Sequence, residues 1–138
     1  MKNVLVLCTG NSCRSQLAHA YLDFFGKDDL HVFSAGLEVH GINPMVVKIL
    51  EEDNIHINNY TSNHIDEYLH IDFDYIITVC DHAKETCPYI PSKNAIRIHK
   101  NFNDPSKLIS DKETVYLAFK NLQNEIKEYC KEFVYKLN

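Results

Sequence analysis

Four apolar residues, Val4-Leu5-Val6-Leu7, run directly into Cys8-Thr9-Gly10-Asn11-Ser12-Cys13-Arg14-Ser15, and a helical pattern begins at once. The apolar run shows no polar alternation, as a strand buried on both faces requires. The helical stretch extends from about Ser15 to Phe25, with Leu17, Ala18, Tyr21, Leu22 and Phe25 on one side and Gly26 as its expected stop. A buried strand that turns through a short polar loop into a helix commits the chain to an α/β architecture.

The alternation continues. His31 to Ser34 reads as a second strand, ended by Ala35-Gly36, and Asn43-Pro44 starts a helix that runs to about Asp53. Phe73 to Cys80 is the strongest strand signal, aromatic and β-branched, and Ala95 to His99 is a weaker fourth strand. A long amphipathic helix is expected from about Asp111 to Leu137, with Val115, Phe119, Leu122, Ile126, Tyr129 and Val134 near helical spacing. The expected fold is α/β, a four-stranded parallel sheet with helices on both faces. The 138 residues suffice for one domain spanning 1–138. Right-handed crossovers would bring every strand's carboxyl end to one edge, where such sheets bind ligands. Cys8, Cys80 and the segment after His99 all fall on that edge.

Composition narrows the function. A net charge of -5 argues against a nucleic-acid surface, so any anion site must be built locally. No apolar run approaches the roughly 20 residues of a membrane span. The apolar start Val4–Leu7 is too short for a signal-peptide core, and a cytoplasmic location is expected. In that compartment the 5 cysteines read as reduced, catalytic or metal-binding rather than as structural staples. Their number is odd, and Cys130 is the expected bystander. None of the 8 histidines is paired with another at i, i+4, and no metal site or cofactor is expected.

The loop after the first strand carries the chemistry. Backbone N–H groups of Thr9, Gly10, Asn11, Ser12, Cys13 and Ser15 are placed where a helix start leaves them without intrahelical partners, so they can cradle a dianion. Arg14 adds a bidentate guanidinium fork. Gly10 permits close backbone approach, and Asn11 tolerates left-handed dihedrals. The same donors favour a thiolate at Cys8, with Ser15 able to donate a hydrogen bond to it. Cys13 could form a protective disulfide with Cys8, but it reads better as a structural filler. An inert buried cysteine with an incidental arginine is the bland alternative, and the strand–loop–helix context argues against it.

The run from Cys8 to Gln16 resembles the signature loop of the low-molecular-weight tyrosine phosphatase superfamily. It is more closely similar to the thioredoxin-coupled arsenate reductases within it. Ser34-Ala35-Gly36, His40-Gly41-Ile42-Asn43-Pro44, Thr78-Val79-Cys80, Cys87-Pro88 and Asp104-Pro105 extend the likeness over nearly the whole chain. From spacing alone, Cys80 and Cys87 could equally be a core residue and an incidental one, and zinc binding has no short paired-cysteine motif to support it. The resemblance implies instead a relay in which Cys8, Cys80 and Cys87 act in turn, with thioredoxin as final reductant. It also implies that Asp104 is a general acid, if partial burial keeps it protonated. Asp-Pro is otherwise a common surface turn. The phosphatases usually follow this pair with tyrosine, whereas Ser106 stands here.

The resemblance further implies that His40 braces the loops. Some related reductases bind potassium beside the loop; Asn11 and Ser34 match that site, but His19 and Asn63 stand where carboxylates would, so no strong potassium site is expected. The expected ligand is arsenate or a phosphate-like oxyanion, the expected partner thioredoxin, and the expected state a monomer. Two rivals remain at this point: a phosphatase acting on phosphotyrosine-like monoesters with Cys8, Arg14 and Asp104, and a non-catalytic redox or oxyanion sensor signalling through Cys80 and Cys87.

Overall fold

A computed structural model of the chain describes residues 1–81 and 89–137. Its sheet comprises β1 (Lys2–Leu7), β2 (Leu30–Ala35), β3 (Tyr75–Thr78) and β4 (Ile96–His99), and its α-helices are α1 (Arg14–Gly26), α2 (Pro44–Glu52) and α3 (Lys112–Leu137). Short 3-10 turns cover Lys27–Asp29, Ile65–Tyr68 and Pro105–Lys107. The strand order is β2-β1-β3-β4, and every pairing is parallel.

That order reverses direction between β1 and β3. The chain moves outward one way from β1 to β2 and the other way from β3 to β4, so a crevice opens at the carboxyl ends of the two central strands. Ladder bonds continue one residue beyond the strands: Cys8 N–H donates to Ala35 O at 3.2 Å, Val79 N–H to Leu7 O at 2.9 Å, and Lys100 N–H to Thr78 O at 2.9 Å. These bonds fix the starting directions of three loops on one edge.

Alternation along the central strand divides the core. Val4 and Val6 face a cluster with Leu17, Tyr21, Ile49, Leu50, Phe119 and Ile126, which brings α1, α2 and α3 onto one face. Leu5 and Leu7 face Ile65, Phe73, Ile76 and Ile90, so the second face is covered around the 3-10 turn at Ile65–Tyr68. Burial on both faces explains why β1 reads as an unbroken apolar run.

Element ends depart from the sequence pattern at two instructive places. The third strand was expected to reach Cys80, but its register with both neighbours ends at Thr78, opposite Leu7 and His99, and only the Val79 N–H bond to Leu7 O extends it. Cys80 therefore lies past the strand, on the loop edge. Gly26 was expected to stop α1, and the helix does end there, but it is Lys27 and not the glycine that takes the positive φ, 37°. A Cβ on Gly26 would stand 2.6 Å from the Leu30 side chain, so this glycine serves packing. Elsewhere the match is close: Asn43 caps α2 by accepting from Met45 N–H at 2.9 Å, with Pro44 in the first position.

The three helices are joined by a buried polar link. Tyr21 in α1 donates to Asp53 Oδ2 at 2.7 Å and accepts from Gln123 Nε2 of α3 at 2.8 Å. Gln123 also donates to Ile49 O at 3.0 Å, and Lys127 donates to Asp53 at 2.9 Å.

Candidate active site

The loop after β1 is built by satisfying its carbonyl groups from outside. Thr9 O accepts from Glu38 N–H, Gly10 O from His40 N–H and Ser12 O from Asn43 N–H, at 3.0 to 3.1 Å. Asn11 O accepts from Gln16 Nε2 at 3.1 Å and from Ser62 Oγ at 2.9 Å. In a trans peptide the C=O of one residue and the N–H of the next point in opposite directions. Turning four successive carbonyls outward therefore turns the N–H groups of Gly10, Asn11, Ser12 and Cys13 the other way, toward the hollow of the loop. The start of α1 at Arg14 adds the positive end of a helix dipole.

Two residues make this shape possible. Asn11 is fully buried at φ 47°; its Oδ1 accepts from Asn63 N–H at 2.7 Å and its Nδ2 donates to Ser15 Oγ at 2.8 Å. Gly36 lies under the loop: a Cβ there would meet Thr9 O at 2.5 Å and Cys8 O at 2.8 Å. Both are backbone atoms, so no side-chain movement would relieve the clash.

Cys8 is an unbridged thiol, buried at 2 % exposure, with its Sγ hydrogen-bonded to Ser15 Oγ at 2.9 Å. In the thiol form the S–H donates. When the sulfur ionises, the serine hydroxyl, already accepting from Asn11, has its own hydrogen available to turn toward sulfur. Arg14 is almost fully buried; Nη1 donates to Phe102 O at 3.3 Å, and Nη2 lies 3.6 Å from Asp104 Oδ2. A buried guanidinium held at both ends presents its charge from a fixed position.

Asp104 reaches the site from the loop after β4. Its Oδ1 accepts from Ser106 N–H at 3.0 Å and from Ser106 Oγ at 2.6 Å, while Oδ2 faces Arg14. Cys8, Thr9, Gly10, Ser12, Cys13, Arg14 and Asp104 line one cavity of about 150 Å³, together with His40, Asn43, Ser106 and Lys107. That volume is well below the roughly 300–1,000 Å³ of pockets for drug-sized ligands. His40 packs its ring against Gly10 and holds Glu38 at 2.6 Å.

The other cysteines divide by environment. Cys13 lies beside the cavity, but burial, together with the nearby Asp104 and Cys8, pushes its thiol far above the usual range. Cys130 is buried in α3 near Ala18 O, and burial raises its pKa as strongly. Cys80 is fully buried with its Sγ 4.0 Å from Leu7 O, one residue from Cys8, and is engaged in a disulfide. Cys87 lies outside the described residues.

His19 Nδ1 is 2.8 Å from Ser34 Oγ, and His19 Nε2 is 3.4 Å from Asp23. Asn11 and Asn63 are bonded to each other. Among the described residues no group of three or more His, Cys, Asp or Glu could hold a metal ion, and no helix is long and apolar enough to cross a membrane. Sequence reasoning missed Gly36 as the loop's floor, and Gln16, Ser62 and Asn63 as its clamps. A glutamine in a helix carries no local signal of such a role. The small-residue run at Ala35-Gly36 was the one available hint.

The sequence model for the low molecular weight phosphotyrosine protein phosphatase family matches residues 3–138, and the chain belongs to that family. Its relatives include the arsenate reductase of Halalkalibacterium halodurans, 41% identical over 132 residues, covering 96% of this chain and 94% of that protein. The arsenate reductase of Bacillus subtilis (strain 168) is 39% identical, with the same coverage. Among solved structures, an arsenate reductase in its phosphate-binding state aligns over 100% of both chains at 26% identity and TM-score 0.77. An arsenate reductase from Archaeoglobus fulgidus aligns over 96% of this chain and 98% of that one, at 28% identity and TM-score 0.73.

Proposed function

We propose that this chain reduces arsenate to arsenite, with Cys8 as nucleophile, Asp104 as acid and a Cys8–Cys80–Cys87 disulfide relay regenerated by thioredoxin. The observation that carries the reading is the small cavity in which an unbridged Cys8 thiol, the buried Arg14 and Asp104 face the inward N–H groups of one loop. It suits one tetrahedral oxyanion. The full-length likeness to arsenate reductases supports the choice of arsenic chemistry over ester hydrolysis.

The steps balance as follows. The Cys8 thiolate forms a sulfur–arsenic bond while the bond from arsenic to its hydroxyl group breaks; the departing hydroxyl oxygen keeps the electron pair, takes a proton from Asp104 and leaves as water. The loop N–H groups and Arg14 hold the remaining oxygens, stabilising charge in a water-poor site. A Cys80 thiolate then attacks the Cys8 sulfur. The sulfur–arsenic bond breaks toward arsenic, which receives two electrons and departs as arsenite, and a Cys8–Cys80 disulfide remains. Cys87 attacks Cys80, which returns the Cys8 thiolate and leaves a Cys80–Cys87 disulfide for thioredoxin to reduce. The position of Cys80 at the carboxyl edge, its sulfur beside the last carbonyl of β1, supports this order of attack.

The test is arsenate-dependent NADPH oxidation with thioredoxin and thioredoxin reductase. Turnover is expected for the wild type, with none at steady state for Cys8→Ser, Cys80→Ser or Cys87→Ser. Normal turnover of the Cys80 and Cys87 variants would remove the relay. Robust hydrolysis of an aryl phosphate with no arsenate turnover would make the chain a phosphatase instead.

A further inference from the structure

We propose that Ser106 is a positioning residue for the acid: it holds the Asp104 carboxyl group so that Oδ2, the oxygen facing the cavity's arginine, carries the proton delivered to the leaving oxygen. The inference rests on the reading of Asp104 as general acid and goes beyond it, because a carboxylic acid has two oxygens and only one proton.

The geometry distinguishes those oxygens. Oδ1 accepts two hydrogen bonds, both from Ser106: the backbone N–H at 3.0 Å and the hydroxyl at 2.6 Å. A carboxyl oxygen has two lone-pair sites, and with both taken by donors Oδ1 has no room for a proton. The proton of the neutral acid is thereby assigned to Oδ2, which lies 3.6 Å from Arg14 Nη2. Arg14 is the buried cation of the oxyanion cavity, so the carboxyl oxygen that faces it, Oδ2, is the one turned toward the cavity, while Oδ1 is turned to Ser106. Without the hydroxyl, one lone pair of Oδ1 is released. The proton can then sit on the wrong oxygen, and the carboxyl can rotate away from the productive orientation.

Ser106 is exposed on a three-residue turn whose first position is Pro105. The proline fixes the backbone there, so the serine amide stays in place when the side chain is changed. The hydroxyl contribution is therefore separable from the fold. Proton transfer itself is unchanged in stoichiometry: Oδ2 loses its proton to the departing oxygen, water leaves, and Asp104 is left as a carboxylate to be reprotonated from solvent.

The experiment mixes the reduced full-length protein with excess arsenate and measures first-turnover arsenate consumption by rapid quench, giving a rate constant and a half-saturating arsenate concentration. Ser106→Ala is expected to lower the rate constant about tenfold with the half-saturating concentration unchanged, the size of one lost hydrogen bond. Ser106→Thr should restore it, Ser106→Gly should match the alanine variant, and neither Ala nor Thr should move the melting temperature. In an Asp104→Asn background, Ser106→Ala should cost nothing further.

An unchanged rate in Ser106→Ala, or a full additional loss in the Asp104→Asn background, would overturn the inference while leaving Asp104 as the acid. A raised half-saturating concentration with the rate constant intact would also overturn it, showing that Ser106 contacts the oxyanion itself. If Asp104→Asn alone reacts at the wild-type rate, the acid assignment fails first.

Discussion

In the loop after β1, the carbonyls from Thr9 to Ser12 are each taken by a donor outside the loop, and the buried Asn11 side chain makes two further bonds. In the loop after β4, Asp104 is held by Ser106, its neighbour two residues on, and by one long contact to Arg14. Both loops line the same cavity. The first must present several N–H groups in one fixed arrangement, which only a backbone locked from many sides can do. The second must deliver one proton, and a single oriented side chain suffices. Rigidity is concentrated where charge is held.

The most severe way to break this contrast is to unlock the first loop from below. Gly36→Ala places a methyl group against the Thr9 and Cys8 carbonyls. We expect a loss of about 1–3 kcal/mol of stability from forced backbone displacement. Arsenate turnover should fall about 100-fold, the cost of misplacing a site by the order of 1 Å. Thermal melts and the coupled assay check both, and turnover within twofold of wild type would mean that the loop tolerates a shift its bonds should forbid.

Asp104→Asn tests the second loop and should separate activity from stability. The loss of acid catalysis predicts a fall in turnover of about 10²-fold, at the low end for a positioned acid. The melting temperature should hardly change, because Asp104 is partly exposed and anchors only a short turn. A large drop in melting temperature would show that this loop, too, is structural.

The two loops also differ in how far they can be read from sequence. The strand, the polar turn and the helix after it are local features, and Cys8, Gly10, Asn11 and Arg14 announce an anion cradle through chemistry that neighbours in sequence supply. The sheet order and the edge shared by Cys8, Cys80 and Asp104 follow from strand periodicity and parallel topology. What could not be read are contacts made at long sequence separation: Gly36 beneath Thr9, Ser62 and Asn63 against Asn11, and Phe102 O on Arg14. The end of β3 was misplaced for the same reason, since Val79 and Cys80 are strand-like by themselves, whereas the pairing with both neighbouring strands ends at Thr78.

The helical face away from the cavity offers a control for the comparison. Tyr21 joins α1 to Asp53 and to Gln123 of α3, and burial, with Asp53 beside it, pushes its phenol well above the usual range, so it stays neutral and donating at all working pH. Tyr21→Phe removes the hydroxyl and leaves Gln123 and Asp53 short of a partner, for an expected loss of about 1–3 kcal/mol. Arsenate turnover should be within twofold of wild type. A site that lost activity in step with this distant change would not be locked by its own loop, as the carbonyl bonds require.

The smallest effect expected is in acid, at Asp53. Burial is the strongest single influence on its carboxyl and opposes ionisation, but hydrogen bonds from Lys127 and Tyr21, with the charges of Lys127 and Lys120, outweigh it and hold the group below the ordinary aspartate range. A carboxyl lowered by folding binds its proton less tightly in the native state than in the unfolded one. Its contribution is therefore complete above the unfolded value of about 3.9 and is lost as the pH falls through the lower native value. The stability difference between wild type and Asp53→Asn should accordingly be constant from neutral pH to about pH 5 and shrink below about pH 4. A difference that widened in acid for Asp53 would reverse the sign of the linkage. It would mean that burial, not the lysine and tyrosine donors, decides the charge of the group that ties the helices together.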